Sequence, residues 1–197
     1  EHSAAEKMDG GDGYDTLRFT SAIAKQTLVL SALTTGLEEA RISDAAGVTT
    51  GTTALNLNAV LVKSALILTG NDGNNTITGT ALNDTLEGKG GADSLLGGLG
   101  NDTYVYAAAT DLAAGERIID VGGSNTLKFT SATPGETLVL STGIVGVETF
   151  LLDGSATINI DGHLLAYGAT FTGNSADNTI VGTARNDRIE GKGGNDT

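Results

Sequence analysis

A nine-residue repeat runs through the middle of the chain, from residue 70 to residue 105. Glycine stands at the first position of each of the four repeats. The sixth positions are Asn75, Asp84, Asp93 and Asp102, and the eighth positions are Ile77, Leu86, Leu95 and Tyr104. A tandem period this strict predicts a coil to which every repeat adds one small structural unit. The alternative, a flexible linker rich in Gly, Asn and Asp, gives no reason for an apolar residue at every ninth position.

The residue types within each repeat predict a turn followed by a very short strand. Gly, Asn and Asp dominate the first six positions and favour tight turns, some with positive φ. The last three positions hold the apolar residue with Thr, Ser or Val beside it, which suits a strand. Repetition of this unit predicts an all-β coil with an apolar core and an edge of carboxylates. Carboxylates with backbone carbonyls are ligands for Ca²⁺ rather than Zn²⁺ or copper, and the chain has no Cys and only two His.

These repeats resemble the RTX family, whose pattern G-G-x-G-x-D-x-U-x, with U a large apolar residue, is a calcium-binding β-helix repeat. The resemblance implies an all-β, right-handed parallel β-roll or β-solenoid in which two nonapeptides make one turn. Repeat n then stacks on repeat n+2, and sixth-position carboxylates share Ca²⁺ with backbone carbonyls of the second and fourth positions. The metal ligands implied in this way are Asp15, Asn75, Thr80, Leu82, Asp84, Lys89, Gly91, Asp93, Gly98, Gly100, Asp102, Asn178, Asp187 and Asp196.

The stacking rule ranks these candidates. Asp84 with Asp102 is the best pair, because both lie in complete repeats. Asn75 pairs with Asp93, and Asn178 with Asp196 in the same way; an amide offers one neutral oxygen, so both sites should be weaker. The repeat that contains Asp15, residues 10–18, stands alone. Its site would need a partner turn from outside the repeats, and a simple Gly-rich turn is the alternative.

The chain contains nearly two copies of a unit slightly longer than 100 residues. Residues 125–132 match 15–22, and residues 190–196 match 87–93 after a short deletion. The predicted units are therefore 1–110, with a spacer at 19–69 and a nonapeptide block at 70–105, and 111–197, with a spacer at 111–172 and a block at 173–197. The spacers alternate short apolar runs with turn residues. We expect them to continue as irregular solenoid coils; separate small β-sandwich domains are the competing interpretation.

Composition and missing motifs restrict the function. The net charge of −13 argues against nucleic-acid binding and against docking on anionic membranes. No apolar run reaches the roughly 20 residues of a spanning helix. The sequence has no Gly-x-Ser-x-Gly, no Cys and no His-Glu-x-x-His, so an enzyme within these residues is not expected. His2 and His163 have no pattern around them.

The resemblance favours a calcium-binding structural segment of a large secreted or cell-surface bacterial protein, of adhesin or surface-layer type, that folds on Ca²⁺ after type I export. The alternative is the calcium-dependent folding and secretion region of an enzyme whose catalytic domain lies outside this chain. A glycan-binding module is a third interpretation, with few aromatic residues to support it. Expected partners are calcium ions, neighbouring repeats, and other cell-surface proteins or glycans. The last repeat stops at its seventh position, Thr197, which predicts a segment of a longer protein.

Overall fold

The computed structural model describes residues 7–197. His2 and the first residues of the predicted unit 1–110 lie outside that range. The regular secondary structure of the described residues consists of twenty strands of two to four residues and one short 3₁₀ helix at Ala109–Asp111, and turns and loops connect them. Within the described residues, no helix has the length and apolar character needed to cross a membrane.

Nine strands form the longest sheet, and all of its pairings are parallel. In spatial order they are β2 (Thr16–Phe19), β5 (Glu39–Ile42), β7 (Ile67–Thr69), β9 (Thr85–Glu87), β11 (Thr103–Tyr106), β13 (Thr126–Phe129), β16 (Thr149–Leu152), β18 (Thr170–Thr172) and β20 (Arg188–Glu190). The spatial order is also the chain order, so each coil of the chain adds one strand to this face.

Three smaller parallel sheets form the rest of the coil. The first has six strands: β3 (Thr27–Val29), β6 (Asn56–Asn58), β8 (Thr76–Thr78), β10 (Ser94–Leu96), β12 (Arg117–Ile119) and β15 (Ile144–Val145). The second has three strands, β14 (Thr137–Val139), β17 (Asn159–Asp161) and β19 (Ile180–Val181). The third pairs β1 (Met8–Asp9) with β4 (Thr34–Thr35).

The nonapeptide strands stack two repeats apart, as the sequence predicted. Leu95 lies beside Ile77 on one face, and Tyr104 lies beside Leu86 on the other. These eighth-position side chains are fully buried. Because successive residues of a strand point to opposite faces, the middle residues of β8, β9 and β10 enter the core and their neighbours face outward. The prediction of an all-β parallel β-roll or solenoid is confirmed.

The spacers belong to the same solenoid. Their strands β5, β7, β13, β16 and β18 lie in the nine-stranded sheet together with the nonapeptide strands. One continuous apolar core runs through both kinds of segment, and the rings of Phe150 and Phe171 stack within it with centroids 5.3 Å apart. The expectation of irregular solenoid coils is confirmed over the described residues, and the interpretation as separate β-sandwich domains is wrong. The division of the chain at residue 110 stays a prediction.

Candidate metal centre

A ladder of hydrogen bonds connects the sixth-position residues of stacked coils. The backbone N–H of Asp84 donates to Oδ1 of Asp102 at 2.7 Å, and Leu66 N–H donates to Oδ1 of Asp84 at 2.7 Å. On the other edge, Asn75 N–H donates to Oδ1 of Asp93 at 2.7 Å. Each carboxylate thus uses one oxygen to hold the coil before it. What happens at the second oxygen decides whether the carboxylate is available to a cation.

Side chains from the spacers continue this ladder beyond the nonapeptides. Oε2 of Glu116 accepts from Asp93 N–H at 2.6 Å, and Oδ1 of Asn125 accepts from Asp102 N–H at 2.8 Å. Oε2 of Glu148 then accepts from Asn125 N–H at 2.7 Å. The sequence interpretation missed these residues because they lie 23 residues from their partners, whereas the nonapeptide partners lie 18 apart.

In the first two repeats of each block, the protein itself satisfies the sixth-position side chain. Asp84 accepts at Oδ2 from Thr80 N–H at 2.6 Å and at Oδ1 from the Thr80 hydroxyl at 3.1 Å. Asn75 accepts from Asn71 N–H at 2.8 Å, and its amide donates to Leu55 O at 2.8 Å and Asn71 Oδ1 at 3.0 Å. We call these the closed loops. The second block repeats both arrangements, at Asn174 with Asn178 and at Thr183 with Asp187.

In four other loops, the second and fourth positions are both left-handed. These open loops have φ values between 65° and 120° at Gly11 and Gly13, Lys89 and Gly91, Gly98 and Gly100, and Lys192 and Gly194. In the loops of Asp93 and Asp102, no second-position N–H donates to the sixth-position carboxylate, in contrast to the closed loops. Glycine adopts positive φ without steric cost, whereas lysine does so only with strain.

The carboxylate oxygens that are buried without a hydrogen-bond partner, within the described residues, all lie in open loops. They are Oδ2 of Asp15, Asp93 and Asp102. Asp196, in the fourth open loop, is exposed. An ionised oxygen in such a position is costly unless a cation or proton joins it. Asp93 and Asp102 are each only 1% exposed, so the open loops fit Ca²⁺ better than the closed loops do.

Backbone carbonyls from the neighbouring coil lie beside the open loops. A Cβ placed on Gly98 would collide with the carbonyl oxygen of Thr80, and one on Gly100 would collide with the carbonyl of Leu82. The carbonyl oxygens of one repeat, which the resemblance implies as metal ligands, therefore lie against the glycines of the repeat stacked on it. It also stacks Asp102 on Asp84 and Asp93 on Asn75, but Asp84 and Asn75 already have protein partners at both side-chain positions.

Burial raises the pKa of four carboxyl groups at this edge; at Asp84, hydrogen bonds from Thr80 and Leu66 oppose the rise. The pKa of Asp93 rises from 3.8 to about 8 through desolvation, with the Glu116 and Asp111 charges adding to it. Desolvation likewise raises the pKa of Asp102 to about 7 and the pKa of Glu116 to about 7. In the metal-free protein, these groups therefore hold protons at pH values where they would be ionised in the unfolded chain.

We expect the metal-free protein to lose stability as the pH rises. The folded state binds more protons than the unfolded state between about pH 4, where these carboxyls titrate in an unfolded chain, and about pH 8, so the free energy of unfolding falls across this window. Thermal melting in EDTA at several pH values should give the highest melting temperature in mild acid. Ca²⁺ competes with protons for these groups, so its stabilising effect should grow toward pH 8. A flat EDTA profile would contradict the assignment.

Comparison with known families identifies the repeats. The family model of the RTX calcium-binding nonapeptide repeat matches residues 69–104 and 172–197, in four copies. The matched residues coincide with the two nonapeptide blocks to within one residue. Together they make up about a third of the chain. Searches of curated proteins and of solved structures found no match. RTX nonapeptide repeats bind calcium ions.

Proposed function

We propose that the chain serves as a rod segment, made rigid by bound Ca²⁺, of a large secreted or cell-surface bacterial protein. Its basis is that the chain carries RTX calcium-binding nonapeptide repeats and is a calcium-binding structural repeat region. RTX repeats are typical of secreted bacterial proteins. The observation that carries the proposal is the nine-stranded sheet, which passes without interruption through both nonapeptide blocks and both spacers. Solenoids of this kind lengthen by adding units, because each coil contacts only its neighbours.

The dimensions support a spacing role. Strands in a sheet lie about 4.8 Å apart, so nine strands give a solenoid of about 40 Å. Further units of the same kind would extend it in the same direction. We propose no catalytic role for these residues: the buried carboxylates hold the coils together through backbone N–H groups, and the solenoid is filled by its own side chains.

Calcium is proposed to control when this rod forms. The net charge of −13 opposes folding until cations neutralise it; the buried oxygens of Asp93 and Asp102 do so as well at pH values where these groups are ionised. Extracellular calcium modules bind at roughly 10⁻⁴–10⁻³ M. With Ca²⁺ about tenfold above the dissociation constant, each site stabilises the fold by about 1.4 kcal/mol. A chain that is loose inside the cell and rigid outside it suits export followed by folding.

A calcium titration tests this proposal. The EDTA-stripped chain at pH 8 should gain β structure by circular dichroism, and its melting temperature should rise, between about 0.1 and 10 mM Ca²⁺. Mg²⁺ at the same concentrations serves as the control and should not reproduce the effect, because it demands a smaller octahedral site. At a temperature between the melting temperatures in EDTA and in Ca²⁺, small-angle scattering should show an expanded chain in EDTA and an elongated compact particle in Ca²⁺. A chain that is fully folded and equally stable in EDTA at pH 8 would overturn the proposal.

A further inference from the structure

A second buried carboxylate approaches Asp102 from outside the nonapeptide block. Asp120 directly follows β12 and is only 7% exposed. Since β12 pairs with β10, Asp120 stands one coil beyond Gly97, which directly follows β10. The spacer therefore places an aspartate where the preceding coil has the first-position glycine of a repeat.

Three oxygens converge on the bare α-carbon of Gly97. A Cβ at this glycine would lie less than 3.0 Å from Oδ2 of Asp102, Oδ2 of Asp120 and the hydroxyl of Tyr104. The two carboxylate oxygens are therefore less than about 6 Å apart, the distance at which one cation reaches both and at which like charges repel strongly. A side chain at this position would fill the space between them, so glycine keeps it open.

The hydrogen bonds around this cluster leave a place for a cation. Asp120 accepts from the Tyr104 hydroxyl at 2.6 Å and from Gly122 N–H at 3.1 Å. The Tyr104 hydroxyl in turn accepts from Gly97 N–H at 2.9 Å. No N–H or hydroxyl of the protein donates to Oδ2 of Asp102, which faces the Asp120 carboxyl, and none of the ion pairs in the described part of the chain involves either aspartate. Two buried carboxylates with no basic partner and one unpartnered oxygen require a proton or a cation.

We propose that Asp102 and Asp120 together hold a calcium ion at the junction between the first nonapeptide block and the following spacer, with Tyr104 positioning Asp120. This site rests on the proposed calcium-dependent function and adds a ligand from outside residues 69–104, where the repeat model ends. A hard, oxygen-seeking cation is the kind of ion that a pair of carboxylate oxygens binds. The ion joins the block to the spacer and so continues the solenoid past the last nonapeptide.

The test compares Asp120→Asn with a matched variant, Asp161→Asn. Asp161 is the last residue of β17 and, like Asp120, accepts the N–H two residues ahead; unlike Asp120, it also contacts the ring of His163, at 2.8 Å. In equilibrium dialysis at 1 mM Ca²⁺, Asp120→Asn should lose one bound ion or bind it about tenfold more weakly, because the site loses a charged ligand. Asp161→Asn should bind as many ions as the wild type.

Terbium luminescence provides a second readout at the same site. Tb³⁺ should be sensitised by Tyr104, which contacts Asp120 directly, and the chain contains no Trp. Tyr104→Phe should lose this emission and should bind the Ca²⁺ more weakly, because Asp120 loses the hydroxyl that positions it; Asp120→Asn should lose both the emission and the ion. Unchanged Ca²⁺ binding and unchanged emission in a folded Asp120→Asn variant would overturn the site. Absence of any Ca²⁺ binding by the wild type would instead overturn the proposed function itself.

Discussion

Replacing Asp93 with Asn should change stability in opposite directions with and without calcium. In EDTA at pH 9, above the pKa of about 8 that this carboxyl has in the fold, the substitution removes a buried ionised oxygen that has no partner. The cost of such a group is about 2 kcal/mol, so the melting temperature should rise by about 4–8 °C. In 10 mM Ca²⁺ the variant should melt below the wild type, because it loses the contribution of the bound ion.

The matched control for this experiment is Asp84→Asn. The Asp84 carboxylate accepts from Leu66 N–H, Thr80 N–H and the Thr80 hydroxyl. An amide in its place sets an N–H against one of those donors, so the melting temperature should fall in EDTA and in Ca²⁺ alike. At pH 6, where Asp93 is already protonated in the metal-free fold, Asp93→Asn should have almost no effect in EDTA. Equal losses for both variants under all conditions would show that open and closed loops do not differ in metal binding.

Replacing Phe150 with Ala should destabilise the whole molecule. Phe150 is completely buried and stacks on Phe171 in the spacer part of the core. Truncation of a buried Phe costs about 3–5 kcal/mol, which corresponds to a fall of about 6–20 °C in melting temperature. Because the spacer and the nonapeptide strands share one sheet, the calcium-loaded protein should still melt in one transition at the lower temperature, as followed by circular dichroism and by Tyr fluorescence.

Leu99→Ala is the control for this second prediction. Leu99 is 56% exposed on an open loop, and exposed substitutions of this kind change stability by no more than about 0.5 kcal/mol. Two separate transitions in Phe150→Ala, one moved and one unmoved, would show that the spacer folds independently of the nonapeptide block. Such a result would contradict the continuous solenoid on which the rod proposal depends.

The repeats could be interpreted from the sequence because each nonapeptide contains within nine residues the turn and the strand that it forms. Turn residues and one apolar residue in each nine predicted the short strands and their buried residues, and the resemblance to RTX repeats implied the two-repeat register that stacks Leu95 on Ile77. The internal duplication predicted that the spacers would follow the same plan. The lengths of the spacer coils could not be predicted, because loops tolerate insertions at little cost in free energy. Parallel pairing constrains the strands and not the loops between them.

The nonapeptide pattern was enough to predict a solenoid, the buried apolar residues of the repeats and an acidic edge that suits calcium. Which carboxylates remain without a partner became evident only from the folded chain. Thr80 closes the loop of Asp84 through its own N–H and hydroxyl, whereas left-handed φ at Lys89 and Gly98 accompanies loops in which Asp93 and Asp102 keep a free oxygen. Asp120 meets Asp102 only because an intervening coil returns it there. A carboxylate's need for a cation depends on every donor within reach, and those donors come from neighbouring coils.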